Sequence, residues 1–214
     1  MNGQELRVFL DRALERFASS AEELRDLDAA LGDGDLGITI SAATRGAREA
    51  LTRLTPDSSP SDVLFAIAPA IANANPSTFA ALAAGALIAG ARTITDANNL
   101  GRDEILRLGR SAAAAIGTRG EAAVGDKTVL DAIVPSLDAA EAWTGDPAST
   151  LEVAIRAATR GVDDTAKLIS RRGRASWIGE RGRGHPDPGA TAYVRFLEAM
   201  RSVMLAGEPP TADA

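Results

Sequence analysis

The chain has no cysteine among its 214 residues and a single histidine, His185. Disulfides, zinc-thiolate sites, iron–sulfur clusters and cysteine nucleophiles are therefore excluded, as is any histidine-rich metal centre. Any metal must be held mainly by oxygen. Aromatic residues make up only 4% of the chain, and no segment alternates with period two, so strands find little support. Positive charge is not in excess either: the formal net charge of -6 argues against a nucleic-acid-binding body. The first dozen residues include Glu5, Arg7, Asp11 and Arg12, which is not a secretory signal. Val63–Ala91 carries no charge, but Pro69, Asn73, Asn75 and Pro76 interrupt it; two buried helices broken at Asn75–Pro76 explain it better than a membrane span. A cytoplasmic protein with no membrane partner follows.

What is present is helical periodicity almost throughout. Leu6, Phe9/Leu10, Ala13 and Phe17 form one apolar stripe, and Leu24, Leu27 and Leu31 a second. Ser20 with Glu23 reads as a capping box for that second helix. Further helices are predicted at roughly 37–54, 61–74, 76–96, 102–116, 127–143, 148–170 and 189–206, with starts at Ser61 after Pro60 and Asp103 after Gly101. The expectation is one all-α domain over 1–207, a bundle or closed helical barrel with alanine-rich faces in close approach, and a frayed tail over 208–214.

Three glycine-centred loops carry the chemistry. The first is LDAALGDGDLG (Leu27–Gly37), where Asp28 ends a helix and Asp33 and Asp35 follow in a loop whose glycines permit a tight backbone. Three converging carboxylates repel one another unless a cation sits among them, and an all-oxygen set with few protein ligands suits Mg2+ carrying phosphates. The helix that follows would present free N–H groups to a phosphate. The same segment taken alone is also compatible with a solvated acidic turn. An EF-hand is excluded, because its fifth and twelfth positions would be Gly37 and Thr44.

The second loop, GDKTVLDAIVP (Gly125–Pro135), opens a helix with Asp126, Lys127 and Thr128, and Asp126 reads as its N-cap. The third, Arg171–Gly189, is rich in glycine and arginine and too long for a simple connection. Its arginines suit bidentate phosphate contacts, Arg174 first among them because Gly173 and Ala175 flank it. Trp177 reads as a packing anchor rather than the wall of a base pocket, and His185 as a hydrogen-bonded loop residue rather than a general base. No P-loop, strand-associated G-x-G-x-x-G or protein-kinase motif set is present.

Together, LDAALGDGDLG, GDKTVLDAIVP and GRASWIGERGRGHPDPGA (Gly173–Ala190) resemble, in order and spacing, the nucleotide-binding L-type domain of dihydroxyacetone kinases. The resemblance covers essentially the whole chain. It implies a closed barrel of about eight antiparallel helices with ADP or ATP bound at one end. It also implies two Mg2+ ions held by Asp28, Asp33 and Asp35, with Gly173 and Arg174 of the Gly-Arg-Ala-Ser loop and Asp187, Pro188 and Gly189 lining the nucleotide. Thr39, Ser77 and Thr128 are expected within reach of the phosphates. No catalytic side chain is expected beyond the metal ligands. The ketose would sit on a separate K-type subunit, with ATP or a phosphotransfer-system protein as phosphoryl donor. Two departures stand out: Leu36 replaces the family's His after the last aspartate, and Asn75–Phe79 (NPSTF) replaces a Gly-Gly-x-Ser-Gly turn. Rival expectations are a kinase for another small substrate, such as erythrulose or a carrier-bound acyl group, and a non-catalytic nucleotide sensor or regulatory partner of the same fold.

Overall fold

The computed structural model describes residues 1–207, apart from the side chain of Arg174; the tail expected at 208–214 lies outside the described residues. The described residues form nine α-helices and no strand: α1 (Gly3–Ala18), α2 (Ala21–Leu31), α3 (Leu36–Leu51), α4 (Pro60–Ala74), α5 (Thr78–Ala91), α6 (Arg102–Gly120), α7 (Leu130–Ala142), α8 (Pro147–Thr165) and α9 (Pro188–Leu205). Short 3-10 turns follow α5 and occupy Arg174–Trp177 and Gly179–Gly182. None of the described helices is long and apolar enough to cross a membrane.

Eight of the helices close a ring. Each of α3 through α9 packs on the next, α9 packs on α1, and α1 returns to α3. The remaining helix, α2, lies across the seam between α3 and α9. The all-α barrel is thus an eight-stave ring with one extra helix over a seam. Its apolar filling forms several clusters: Leu6, Leu10 and Leu14 of α1 pack with Leu51, Val63 and Ile67, while Ile155 and Val194, and separately Ile133, belong to others. Small residues make this closure possible. A Cβ at Gly37 would lie 2.3 Å from the Ala21 carbonyl oxygen, so α3 meets the start of α2 backbone to side. At Gly161 of α8 it would lie 2.0 Å from the Asp131 carbonyl oxygen of α7.

Caps account for where several helices start. Ser59 accepts from the Asp62 N–H with Pro60 in the first turn, and Asp146 does the same for α8. The break at Asn75–Pro76 holds: α4 stops at Ala74, and Ser77 caps α5 by accepting from the Ala80 N–H at 3.1 Å.

Three local expectations are not met. Ser20 makes no side-chain cap, because its own backbone is helical (φ -83, ψ 0) rather than extended, and Glu23 pairs instead with Arg195 of α9. The helix expected from 127 begins at Leu130, because Lys127 adopts a left-handed backbone (φ 60). α8 also stops at Thr165, short of the expected 170.

Candidate metal and nucleotide site

The acidic cluster forms as the loop sequence suggests. Asp28 sits in the last turn of α2, and one carboxylate oxygen from each of Asp28, Asp33 and Asp35 lies within 4.8 Å of the others. Asp28 also accepts from the Leu36 N–H at 3.1 Å, so it closes the loop and takes one of the free donors at the start of α3. Burial and the charge of Asp28 push the Asp35 carboxyl above its ordinary range. An all-oxygen donor set whose atoms lie within 4.8 Å of one another suits a hard divalent cation such as Mg2+ in its chemistry.

Three other segments gather at the same end of the barrel. Thr39, one turn into α3, is fully buried, and its hydroxyl accepts from the Asn75 side-chain amide at 2.7 Å. That bond fastens the α4–α5 connection to the helix carrying the cluster. Phe79 packs on the patch that contains Leu36 and Ile40, filling space that the family's glycine turn would leave open. A Cβ at Gly189 would lie 3.8 Å from both the Phe79 ring and Val129, which brings α5, the 125–130 turn and the start of α9 together. Gly182 of the glycine-rich loop adjoins Leu31 at the end of α2.

The second motif works differently from its expected role. Asp126 is not an N-cap: it accepts from the Ala123 N–H and pairs with Arg171 and Arg172. α7 has no side-chain cap; Asp131, in its first turn, ties down the preceding turn instead, accepting from the Gly125 N–H at 2.6 Å and the Thr128 N–H at 2.8 Å. These two donors are therefore not turned toward a ligand, and the Thr128 hydroxyl accepts weakly from the Leu130 N–H. Lys127 is 1% exposed, with its ammonium 2.7 Å from the Gly182 and His185 carbonyl oxygens and 3.3 Å from that of Leu168. Burial lowers its pKa, and the charge of Asp187 partly offsets this.

Asp187 is buried and caps α9, accepting from the Ala190 N–H at 2.7 Å, while its own N–H donates to Thr165 Oγ1 at 2.8 Å. Burial, reinforced by Asp131 and opposed by the Ala190 bond and Lys127, pushes its carboxyl up to about 7. Pro188 occupies the first turn of α9, where its missing N–H costs nothing. Gly173 takes a positive φ of 64 ahead of the first 3-10 turn. The Arg174 side chain lies outside the described residues. Trp177, at the end of the first 3-10 turn, is 85% exposed, so it is no core anchor. Lys127, Asp131, Thr165 and Asn75 adjoin these segments without having been among the expected site residues. Lys127 and Asp131 stand within the second motif, but nothing local marks either as buried.

An all-helical barrel with an oxygen-donor cluster at one end defines the class. A family model described as "DAK2 domain" matches residues 30–202. The chain belongs to the DAK2 domain family. It is 34% identical over 190 residues to the L-erythrulose 1-kinase of Mycolicibacterium smegmatis, covering 86% of this chain but 32% of that protein. It is 31% identical over 210 residues to the PEP-dependent dihydroxyacetone kinase 2, ADP-binding subunit DhaL, of Listeria innocua, covering 90% of this chain and 93% of that one. The chain thus spans about a third of the first relative and nearly all of the second. Among solved structures, the dihydroxyacetone kinase from C. freundii in complex with AMP-PNP and Mg2+ shares the fold. There the TM-score is 0.71 at 22% identity, over 92% of this chain and 33% of that one.

Proposed function

We propose that this chain is the nucleotide-binding subunit of a dihydroxyacetone-type kinase, taking ADP or ATP with Mg2+ and passing a phosphoryl group to a small ketose held on a separate K-type subunit. The observation that carries the reading is the convergence of Asp28, Asp33 and Asp35 in a DAK2-family chain. Near full-length similarity to an ADP-binding DhaL subunit supports the division of labour.

In this reading the three aspartates hold the Mg2+, two ions by family resemblance. Bound there, Mg2+ supplies neutralisation of the charge that develops on the transferred phosphoryl group. The chain's own residues bind and orient. Ser77 and Thr39 border the phosphate region, Thr39 from a fully buried position where its hydroxyl holds the Asn75 amide. Arg174 contacts phosphate oxygens, Gly173 and Asp187–Gly189 line the nucleotide, and Thr128 sits at the margin. The phosphoryl donor is ATP or, as the relative's PEP-dependence suggests, a phosphotransfer-system protein that recharges bound ADP. A cytoplasmic site of action, as expected from the sequence, goes with this reading.

Calorimetric titration with ADP, with and without Mg2+, tests the assignment. Binding that requires Mg2+ is expected, and no binding under either condition overturns it. The purified chain alone should phosphorylate neither dihydroxyacetone nor erythrulose, and a cognate K-type subunit should restore turnover. A second reading, a nucleotide sensor, is favoured by NPSTF, where Pro76 and Phe79 add bulk in place of glycine. Mg-ADP binding without turnover with any K-type partner would select it.

A further inference from the structure

A lysine in a glycine-bounded turn at the start of a helix reads as a phosphate ligand, yet Lys127 faces the other way. An ammonium has three donor hydrogens, and three backbone carbonyls surround this one, from Leu168, Gly182 and His185. With 1% of its surface exposed and every donor taken, it has nothing left for a ligand. The three carbonyls come from both ends of one excursion: Leu168 just after α8, and Gly182 and His185 just before α9. Between those ends runs the arch that holds Gly173, Arg174 and the exposed Trp177. Shorter ties reinforce the same closure. The Gly184 N–H donates to the Ala166 carbonyl at 2.8 Å, and the Asp187 N–H to Thr165.

The cost of this arrangement argues that it has a purpose. A buried ammonium loses its hydration, and a left-handed backbone at a non-glycine residue adds strain. A glycine would suit φ 60 better, but it would leave three buried carbonyls without a donor.

We propose that Lys127 is a positioning residue, a clasp whose ammonium pins the two ends of the 168–185 excursion together and so presets the arch for nucleotide. This rests on the nucleotide-binding role assigned to that loop under Proposed function. It predicts that nucleotide affinity depends on a charge that never touches the nucleotide, while the aspartate cluster, built on α2 and the start of α3, is independent of it.

The chain has no cysteine and only two lysines, Lys127 and Lys167, which makes the test clean. Lys127→Cys, alkylated while unfolded with 2-bromoethylamine and then refolded, rebuilds an ammonium at lysine length. Alkylation with bromoethane gives an uncharged chain of similar length, and Lys127→Met is the genetic counterpart. Hydrogen exchange across residues 166–187, Mn2+ binding without nucleotide, and Mg-ADP binding are then measured. In the uncharged forms, exchange at Gly184 should quicken more than tenfold and Mg-ADP affinity fall more than tenfold, with Mn2+ affinity within about twofold of wild type. The aminoethylated form should recover both losses.

Equal recovery by the uncharged chain would overturn the proposal in favour of simple packing. So would loosened exchange with unchanged Mg-ADP affinity, or loss of protection throughout the barrel together with Mn2+ binding. If the wild type binds no nucleotide at all, the functional reading falls, while exchange at Gly184 still decides whether the clasp exists. Should the uncharged forms not fold, 15N-lysine labelling of the wild type decides. One slowly exchanging ammonium beside the fast one of exposed Lys167 is expected; two fast ones overturn the clasp.

Discussion

Arg195 of α9 forks onto Glu23 of α2, with Nε 2.7 Å and Nη2 2.6 Å from the two carboxylate oxygens, across 172 residues of chain. The pair joins the helix that Asp187 caps to the helix whose last turn carries Asp28, so it braces two parts of the site against each other. Arg195→Lys keeps the charge and loses the fork. Both side chains are about one-third to two-fifths exposed, so the expected loss is about 0.5–1 kcal/mol, read from urea denaturation. The Arg195 bond holds the Glu23 carboxyl below its ordinary range. The contribution is therefore complete above the unfolded-state pKa and disappears as pH falls through the lower folded value. An Arg195→Lys penalty that grows toward low pH would contradict this.

Asp33→Asn and Asp35→Asn should each weaken Mg-ADP binding by more than about 2 kcal/mol, which is roughly thirtyfold, because the cation loses a charged ligand. Far-ultraviolet circular dichroism should show the helices unchanged. Wild-type affinity in either variant would remove the cluster from the site.

Asp187 gives a pH signature of opposite sign to most carboxylates. Its folded pKa of about 7 lies above its unfolded value, so the folded chain binds the extra proton between them. Asp187's contribution to stability therefore falls as pH rises from about 4 to 7, by at most about 4 kcal/mol. Asp187→Asn keeps an acceptor for the Ala190 N–H and abolishes that slope. Relative to wild type, the variant should gain stability between pH 4 and pH 8 in paired denaturation curves; a difference independent of pH would count against the buried carboxyl.

Gly37→Ala places a methyl group where only 2.3 Å separates it from the Ala21 carbonyl oxygen. The contact is with backbone, which cannot swing aside, so α3 must move off α2. A loss of about 2–3 kcal/mol in thermal unfolding is expected, with weaker Mn2+ binding as Asp28 and Asp35 separate. An unperturbed melting temperature would mean that the α2–α3 contact is looser than the structure shows.

Trp177→Ala should change stability by less than about 0.5 kcal/mol, since the ring is 85% exposed. A loss several times larger would restore the anchoring role that the sequence suggested.

The all-α class, the break before α5, the aspartate cluster and the special character of the glycine-rich loop were legible in the sequence. Each depends on neighbours close along the chain: apolar spacing of three and four residues, Pro76 beside Asn75, glycines beside aspartates. What was not legible turned on partners far away. Asp126 reads as an N-cap until the fold brings Arg171 and Arg172 beside it. Glu23 reads as half of a capping box until α9 presents Arg195. Trp177, the largest apolar side chain of its loop, lies outside, while the charged Lys127 lies inside. Solvation preferences alone favour the reverse. Tertiary structure overrides them because three converging carbonyls and the charge of Asp187 replace the water a buried ammonium gives up, whereas the indole is left exposed on its 3-10 turn.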